Sequence, residues 1–279
     1  MSPPDHLVCT HPFFPCVPSP RPVDPQRTRS DKPSYDDKIV ATTAVDRSGK
    51  VTDSMEPTIG GETDEVLRKK MVQQAKMIHW PMRVAWILEP ARQRLFLEHS
   101  VRIADLRFFV EANPFIPPQH EGIFLRGFQA GFHGDLLVAM HLLVPQVETS
   151  IRHVFQQHGV ITSTLDADGT QKKKDLNFLL WLPEMEEIFV PDIAFDLRGI
   201  LIDRFGHNLR NESAHGLMPE YAFYQESSVY LWWLLMHICW RSYRMAQMQS
   251  EPTPPPASPG QAAATETPPS AESSGRRPE

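Results

Sequence analysis

The alternation of apolar and polar positions divides the chain into helical stretches separated by proline- and glycine-rich breaks. After Thr63, Asp64 and Glu65, whose acids suit the positive end of a helix dipole, Leu67, Met71, Ala75 and Ile78 recur at helical spacing, and Pro81 is expected to end that helix. A second stretch, from Val84 to Ala112, carries Leu97, Val101, Ala104 and Phe108 on one expected stripe, with Pro90 starting or kinking it. "ANPFIPPQHEG" is turn chemistry, because its prolines push their neighbours out of helical geometry. Gly127, Gly131 and Gly134 follow and are expected to allow close helix packing or a cap. Asp135 then opens the clearest helix, with Leu136, Met140, Leu143, Val147, Ile151 and Val154 on one face and Pro145 expected to bend it.

The second half of the chain reads in the same way. Between Gly159 and Asp175, β-branched residues around Asp168 and Gly169 predict a small hairpin or surface loop. A short apolar helix stopped at Pro183 comes next, then a helix with Ile193, Leu197, Ile200 and Leu201 on one face, broken or bent at Gly206. Val229 to Trp240 is apolar nearly all round, as expected of a helix buried among others. The pattern predicts an all-α bundle of about six or seven helices with at most one small β-hairpin.

Composition sets the limits of that bundle. Residues 1–62 hold ten of the 27 prolines and residues 250–279 hold eight. Neither segment carries enough large apolar surface to offset the entropy of ordering, so both are expected to be disordered tails around a helical domain at 63–249. Cys9, Cys16 and Cys239 show no regular spacing, which suggests neither a disulfide framework nor a zinc site. There is no basic start followed by an apolar run, and Val229 to Cys239 is too short to span a bilayer, so the chain reads as soluble and intracellular, with no membrane span. Over 63–249 there are 19 Lys plus Arg against 21 Asp plus Glu, a net of minus two. Any nucleic-acid binding must therefore rest on local chemistry rather than on global attraction.

Local chemistry concentrates in "LRNESAHGLM", Leu209 to Met218. If Leu209 to Leu217 is helical, Asn211 and His215 share a face and Arg210 reaches the same spot with its long stem. A guanidinium offers a planar fork to phosphate oxygens, an imidazole can take or give a proton, and an amide can hold either partner. Those are the parts of RNA transesterification: a base for the ribose 2′-hydroxyl, a cation at phosphorus and an acid for the leaving oxygen. One histidine does not easily serve as both acid and base, so a symmetric dimer supplying a second imidazole is expected.

"RNESAHG" fits the RNxxxHG signature of the family called domain of unknown function 4209, and "NPFIPPQHEGIFLRGFQAGFHGDLLVAMHLLVPQVETSIR" resembles the segment before that signature. The likeness covers 113–240. That family resembles the HEPN superfamily, helical bundles marked by an Arg followed after four to six residues by a His, many of them metal-independent RNases acting as dimers. The resemblance implies a HEPN-like bundle in which Arg210 and His215 are the paired catalytic residues, Asn211 the polar residue after the Arg, and Gly216 the end of the motif. It also implies RNA as a ligand, a homodimer, and no cofactor or metal.

A second function class stays open: a non-catalytic interaction or nucleotide-binding module in which Arg210 and His215 satisfy a helix end and a carboxylate such as Asp203 or Glu212. Asp203, His207, Asn211 and His215 would form a metal-ligand stripe on an uninterrupted helix, but Gly206 argues against continuity. His133, His141, His153, His158 and Glu148, on or near the Asp135 helix, read as ordinary hydrogen-bonding side chains. Lys172, Lys173 and Lys174 read as a solvated tip, and Trp232, Trp233 and Trp240 as core aromatics.

Overall fold

The first helical stretch runs on through Pro81, expected to end it, and through Pro90, expected to start or kink the second. In the computed structural model, which describes residues 42–45, 49–55, 64–165 and 171–250, α1 (Asp64–Gln74), α2 (Trp80–Arg83) and α3 (Glu89–Glu98) are joined by π-helical turns at Ala75–His79 and Val84–Leu88. The N–H of Trp80 bonds the carbonyl of Ala75, and that of Glu89 the carbonyl of Val84, each five residues back and directly before Pro81 and Pro90. The widened turn accommodates a residue that has no N–H to give. The expected second stripe is therefore split: Leu97 is 81% exposed at the end of α3, while Val101 is buried in the extended link to α4 (Ile103–Val110).

The centre of the bundle is α5 (Glu121–Phe132) against α6 (Leu136–Gln157). Asp135 caps α6 as its position suggests, its carboxylate accepting from the N–H of Val138 at 3.1 Å. The helix continues through Pro145. A Cβ on Gly127 would meet Leu143 at 2.6 Å and one on Gly131 would meet the Trp232 indole at 2.1 Å, so both glycines serve helix packing, as expected. Trp232 is 2% exposed, lies edge-on to Phe132 and donates to the Phe128 carbonyl.

Behind α6 come a two-stranded antiparallel hairpin, β3 (Ser163–Leu165) with β4 (Gln171–Lys173), and the helices α7 (Leu176–Leu180), α8 (Glu184–Phe189) and α9 (Pro191–Leu201). α10 (Leu209–Ala214), a 3-10 turn at Glu220–Tyr224 and the long α11 (Glu226–Ser250) complete the fold. Lys172 and Lys173 are exposed on β4, as expected of a solvated tip.

A second hairpin lies in the stretch expected to be an unfolded arm. β1 (Thr42–Val45) pairs antiparallel with β2 (Val51–Met55), burying Ala44 and Met55. β-branched residues on both strands favour pairing. The body of the protein holds the hairpin through Lys69 on Asp53 and Arg204 on the Thr52 carbonyl, long-range partners that no local pattern reveals. The two hairpins remain minor additions to a mostly helical fold. The rest of the N-terminal arm, including Cys9 and Cys16, and the tail after residue 250 lie outside the described residues.

Candidate functional site

The backbone between α9 and α10 fixes where Arg210 stands. α9 ends at Leu201, and a turn through Asp203 and Gly206 brings the N–H of His207 onto the Gly199 carbonyl at 3.0 Å. A Cβ on Gly206 would fall 1.8 Å from that same carbonyl oxygen, so only glycine allows this crossing. The interruption also disperses the Asp203, His207, Asn211, His215 stripe. Asp203 instead accepts from Arg68. Among the described residues no group of three or more His, Cys, Asp or Glu is placed to hold a metal ion.

α10 is shorter than the expected Leu209–Leu217 helix. Asn208 enters it in the left-handed region (φ 47°), which asparagine tolerates, and Leu209 anchors it in the core at 1% exposure. Gly216 ends it in the left-handed region (φ 66°), with its N–H on the Ser213 carbonyl and that of Leu217 on the Glu212 carbonyl. This is a Schellman stop, with His215 at the C-cap.

Arg210 and Asn211 come together directly. Nη1 of Arg210 donates to Oδ1 of Asn211 at 2.9 Å, and Nδ2 of Asn211 donates to Oδ1 of Asn208 at 2.7 Å. A guanidinium can only donate, so this bond fixes which end of the amide faces it. Nη2 of Arg210 reaches Oε2 of Glu148 on α6 at 3.4 Å, while the other oxygen of Glu148 takes a 2.8 Å bond from Arg152. Two guanidiniums share one carboxylate, so the three groups keep one formal positive charge. The Arg210–Glu148 pair is long and 28% exposed on both sides, the loose kind that contributes about 1 kcal/mol or less. The carboxylate partner of Arg210 is thus Glu148, neither Asp203 nor Glu212.

Beneath Arg210 lies a cavity of about 410 Å³ between α6 and α10, within the range of roughly 300–1,000 Å³ usual for small-molecule sites. Met140, Val144 and Pro145 give it an apolar wall, and Leu176 closes one side. Its polar edge consists of His141, Glu148 and Thr149 from α6 with Arg210 and Ser213 from α10. His215 is exposed and does not line this cavity, although Ala214 beside it does. Its backbone N–H bonds the Asn211 carbonyl, and among the described residues its imidazole makes no hydrogen bond. The structure therefore brings Arg210 and Asn211 together and leaves His215 exposed outside the cavity.

Sequence reasoning passed over His141 and Glu148 as ordinary helix residues. Their signal is spacing: His141, Pro145, Glu148 and Arg152 follow one another at steps of four, three and four, one face of α6. What no spacing shows is that Arg210, 62 residues beyond Glu148, closes over that face.

Compared with family models, with curated proteins and with solved structures, the chain has no match. The likeness to the RNxxxHG family rests on the residues quoted above.

Proposed function

We propose that this chain is a HEPN-like RNA-binding domain that cleaves RNA without a metal ion. Arg210 receives the phosphate, Asn211 positions Arg210, and His215 carries a proton at the leaving oxygen. The observation that supports this most is the guanidinium of Arg210, oriented by Asn211 and loosely held by Glu148, at the edge of an open cavity of nucleotide size. A phosphate oxygen can replace Glu148 at Nη2 without stranding the carboxylate, which keeps Arg152. A homodimer and an intracellular setting complete the proposal. Among the described residues no helix is long and apolar enough to cross a membrane.

Labelled single-stranded RNA incubated with the purified protein in chelator tests the reading. Cleavage by the wild type is expected to fall about 100-fold or more in Arg210→Ala and His215→Ala. Equal cleavage by wild type and both variants would remove these residues from the chemistry. The position of His215 outside the cavity favours a second reading, a nucleotide-binding module without chemistry. Under that reading RNA is bound through Arg210, no product forms, and His215→Ala binds as the wild type does.

A further inference from the structure

A transesterifying site needs two proton carriers, and α10 supplies one. His141 stands on the facing wall of the cavity, and two contacts hold its ring. Nδ1 lies 2.8 Å from the Leu137 carbonyl, and the ring packs on Phe223 at 4.8 Å between centroids and 33° between planes. Phe223 is itself 4% exposed and belongs to the core, so it is a firm backing. A carbonyl oxygen only accepts, so Nδ1 carries the hydrogen, and in the neutral ring Nε2 keeps its lone pair. Pro145 stands one turn on and has no N–H to offer the His141 carbonyl, so that oxygen lacks its ordinary helical donor beside the cavity.

We infer that His141, from the same chain as Arg210, is a further catalytic residue, whose Nε2 accepts the proton of a ribose 2′-hydroxyl while Arg210 holds the adjacent 3′-phosphate. The inference rests on the RNA reading above and deepens it. In the step itself the 2′-oxygen forms a bond to phosphorus as its proton passes to Nε2 of His141. The bond from phosphorus to the 5′-oxygen breaks with its electron pair, and protonated His215 gives that oxygen a proton. The products are a 2′,3′-cyclic phosphate and a free 5′-hydroxyl. The apolar wall of Met140, Val144 and Leu176 offers a surface for the base. A complete acid–base pair is then present in one chain, and the two-fold partner is not required for the second imidazole.

The test separates this inference from its premise. The probes are uridine 3′-monophosphate, its 2′-deoxy counterpart and labelled single-stranded RNA, with wild type, His141→Ala, His141→Gln and Arg210→Ala. Wild type is expected to prefer the ribose probe about tenfold, and His141→Ala to lose that preference, since one good hydrogen bond to the hydroxyl accounts for it. Cleavage in chelator should fall about 100-fold or more in both His141 variants. His141→Gln should keep the ribose preference, because an amide can bond the hydroxyl without taking its proton. Mixing His141→Ala with Arg210→Ala should restore no activity, because each chain then lacks part of its own site.

Cleavage that depends on Arg210 but is unchanged in His141→Ala would overturn the inference and leave the RNA reading standing, and so would rescue on mixing. Ribose preference that depends on His141, with no cleavage by the wild type, would overturn the proton-acceptor role together with the nuclease reading. A wild type that binds neither nucleotide nor RNA would overturn both.

Discussion

Two carboxylates in this protein have similar company and opposite surroundings. Asp196 on α9 is fully buried, accepting from the indole of Trp80 at 2.9 Å and the phenol of Tyr230 at 2.7 Å. Burial, reinforced by the Asp196 carboxylate, pushes the Tyr230 phenol well above its ordinary range. Glu148 on α6 also bridges two donors, Arg152 and Arg210, but one bond is long and both ends of it meet water. In the first cluster both of these contacts are short and buried, and they join α2, α9 and α11 into one body. In the second, one contact is exchangeable. A buried network resists change because a lost partner leaves an unsatisfied group, whereas a half-open one can release a donor to a ligand at little cost.

The largest effect should come from breaking the sealed cluster. Asp196→Ala leaves both ring donors without their acceptor, at about 1–3 kcal/mol each, so a loss on the order of 4 kcal/mol is expected in denaturant unfolding. A loss below about 1 kcal/mol would show that the cluster does not carry the core.

The next effect concerns pH on α11. Burial, followed by the charge of Arg241, holds the His237 imidazole down at about 4, and the ring stacks on Trp233 at 5.1 Å. The unfolded chain therefore takes up a proton that the folded chain refuses between pH 6.5 and 4. The contribution of this group to stability falls as pH drops through that window, by about 3 kcal/mol at most. Unfolding free energies of wild type and His237→Phe at several pH values should diverge there, and parallel curves would contradict the assignment.

At the open carboxylate the effects shrink. Glu148→Ala deprives Arg152 of its carboxylate and leaves it the Thr162 carbonyl, which should cost roughly 1–2 kcal/mol in the same unfolding experiment. Arg210→Ala should cost less than about 1 kcal/mol, as a half-exposed pair does. Its effect should appear in binding instead: the slope of log affinity for single-stranded RNA against log salt should fall by roughly one. A melt strongly lowered in Arg210→Ala would move the residue into the structural class with Asp196.

What could be read from the chain follows from how far the responsible interactions reach. Asp135 as a cap, the apolar face of α6, the packing roles of Gly127 and Gly131 and the hairpin before α7 depend on neighbours or on a repeating face, and all were legible. So was the adjacency of Arg210 and Asn211, which is one residue long. The passage of the first helix through Pro81 and Pro90 was not, because a π turn leaves no mark in apolar periodicity. The β1–β2 hairpin depends on Lys69 and Arg204, and the cavity on Arg210 closing over Glu148, all pairings that only the tertiary fold creates. The short reach of α10 could have been anticipated from Gly216, a favoured helix stop directly after His215.

The meeting of Gly206 with the Gly199 carbonyl has a further consequence, for how the chain tolerates changes in length. Where two backbone segments touch with no side chain between them, there is no slack: an inserted residue between Ile202 and Asn208 would push the His207 amide off its acceptor and turn α10 away from α6. A library of single-residue insertions should therefore find this connection intolerant, and the lost variants should lose the Arg210 cavity before they lose the helical core.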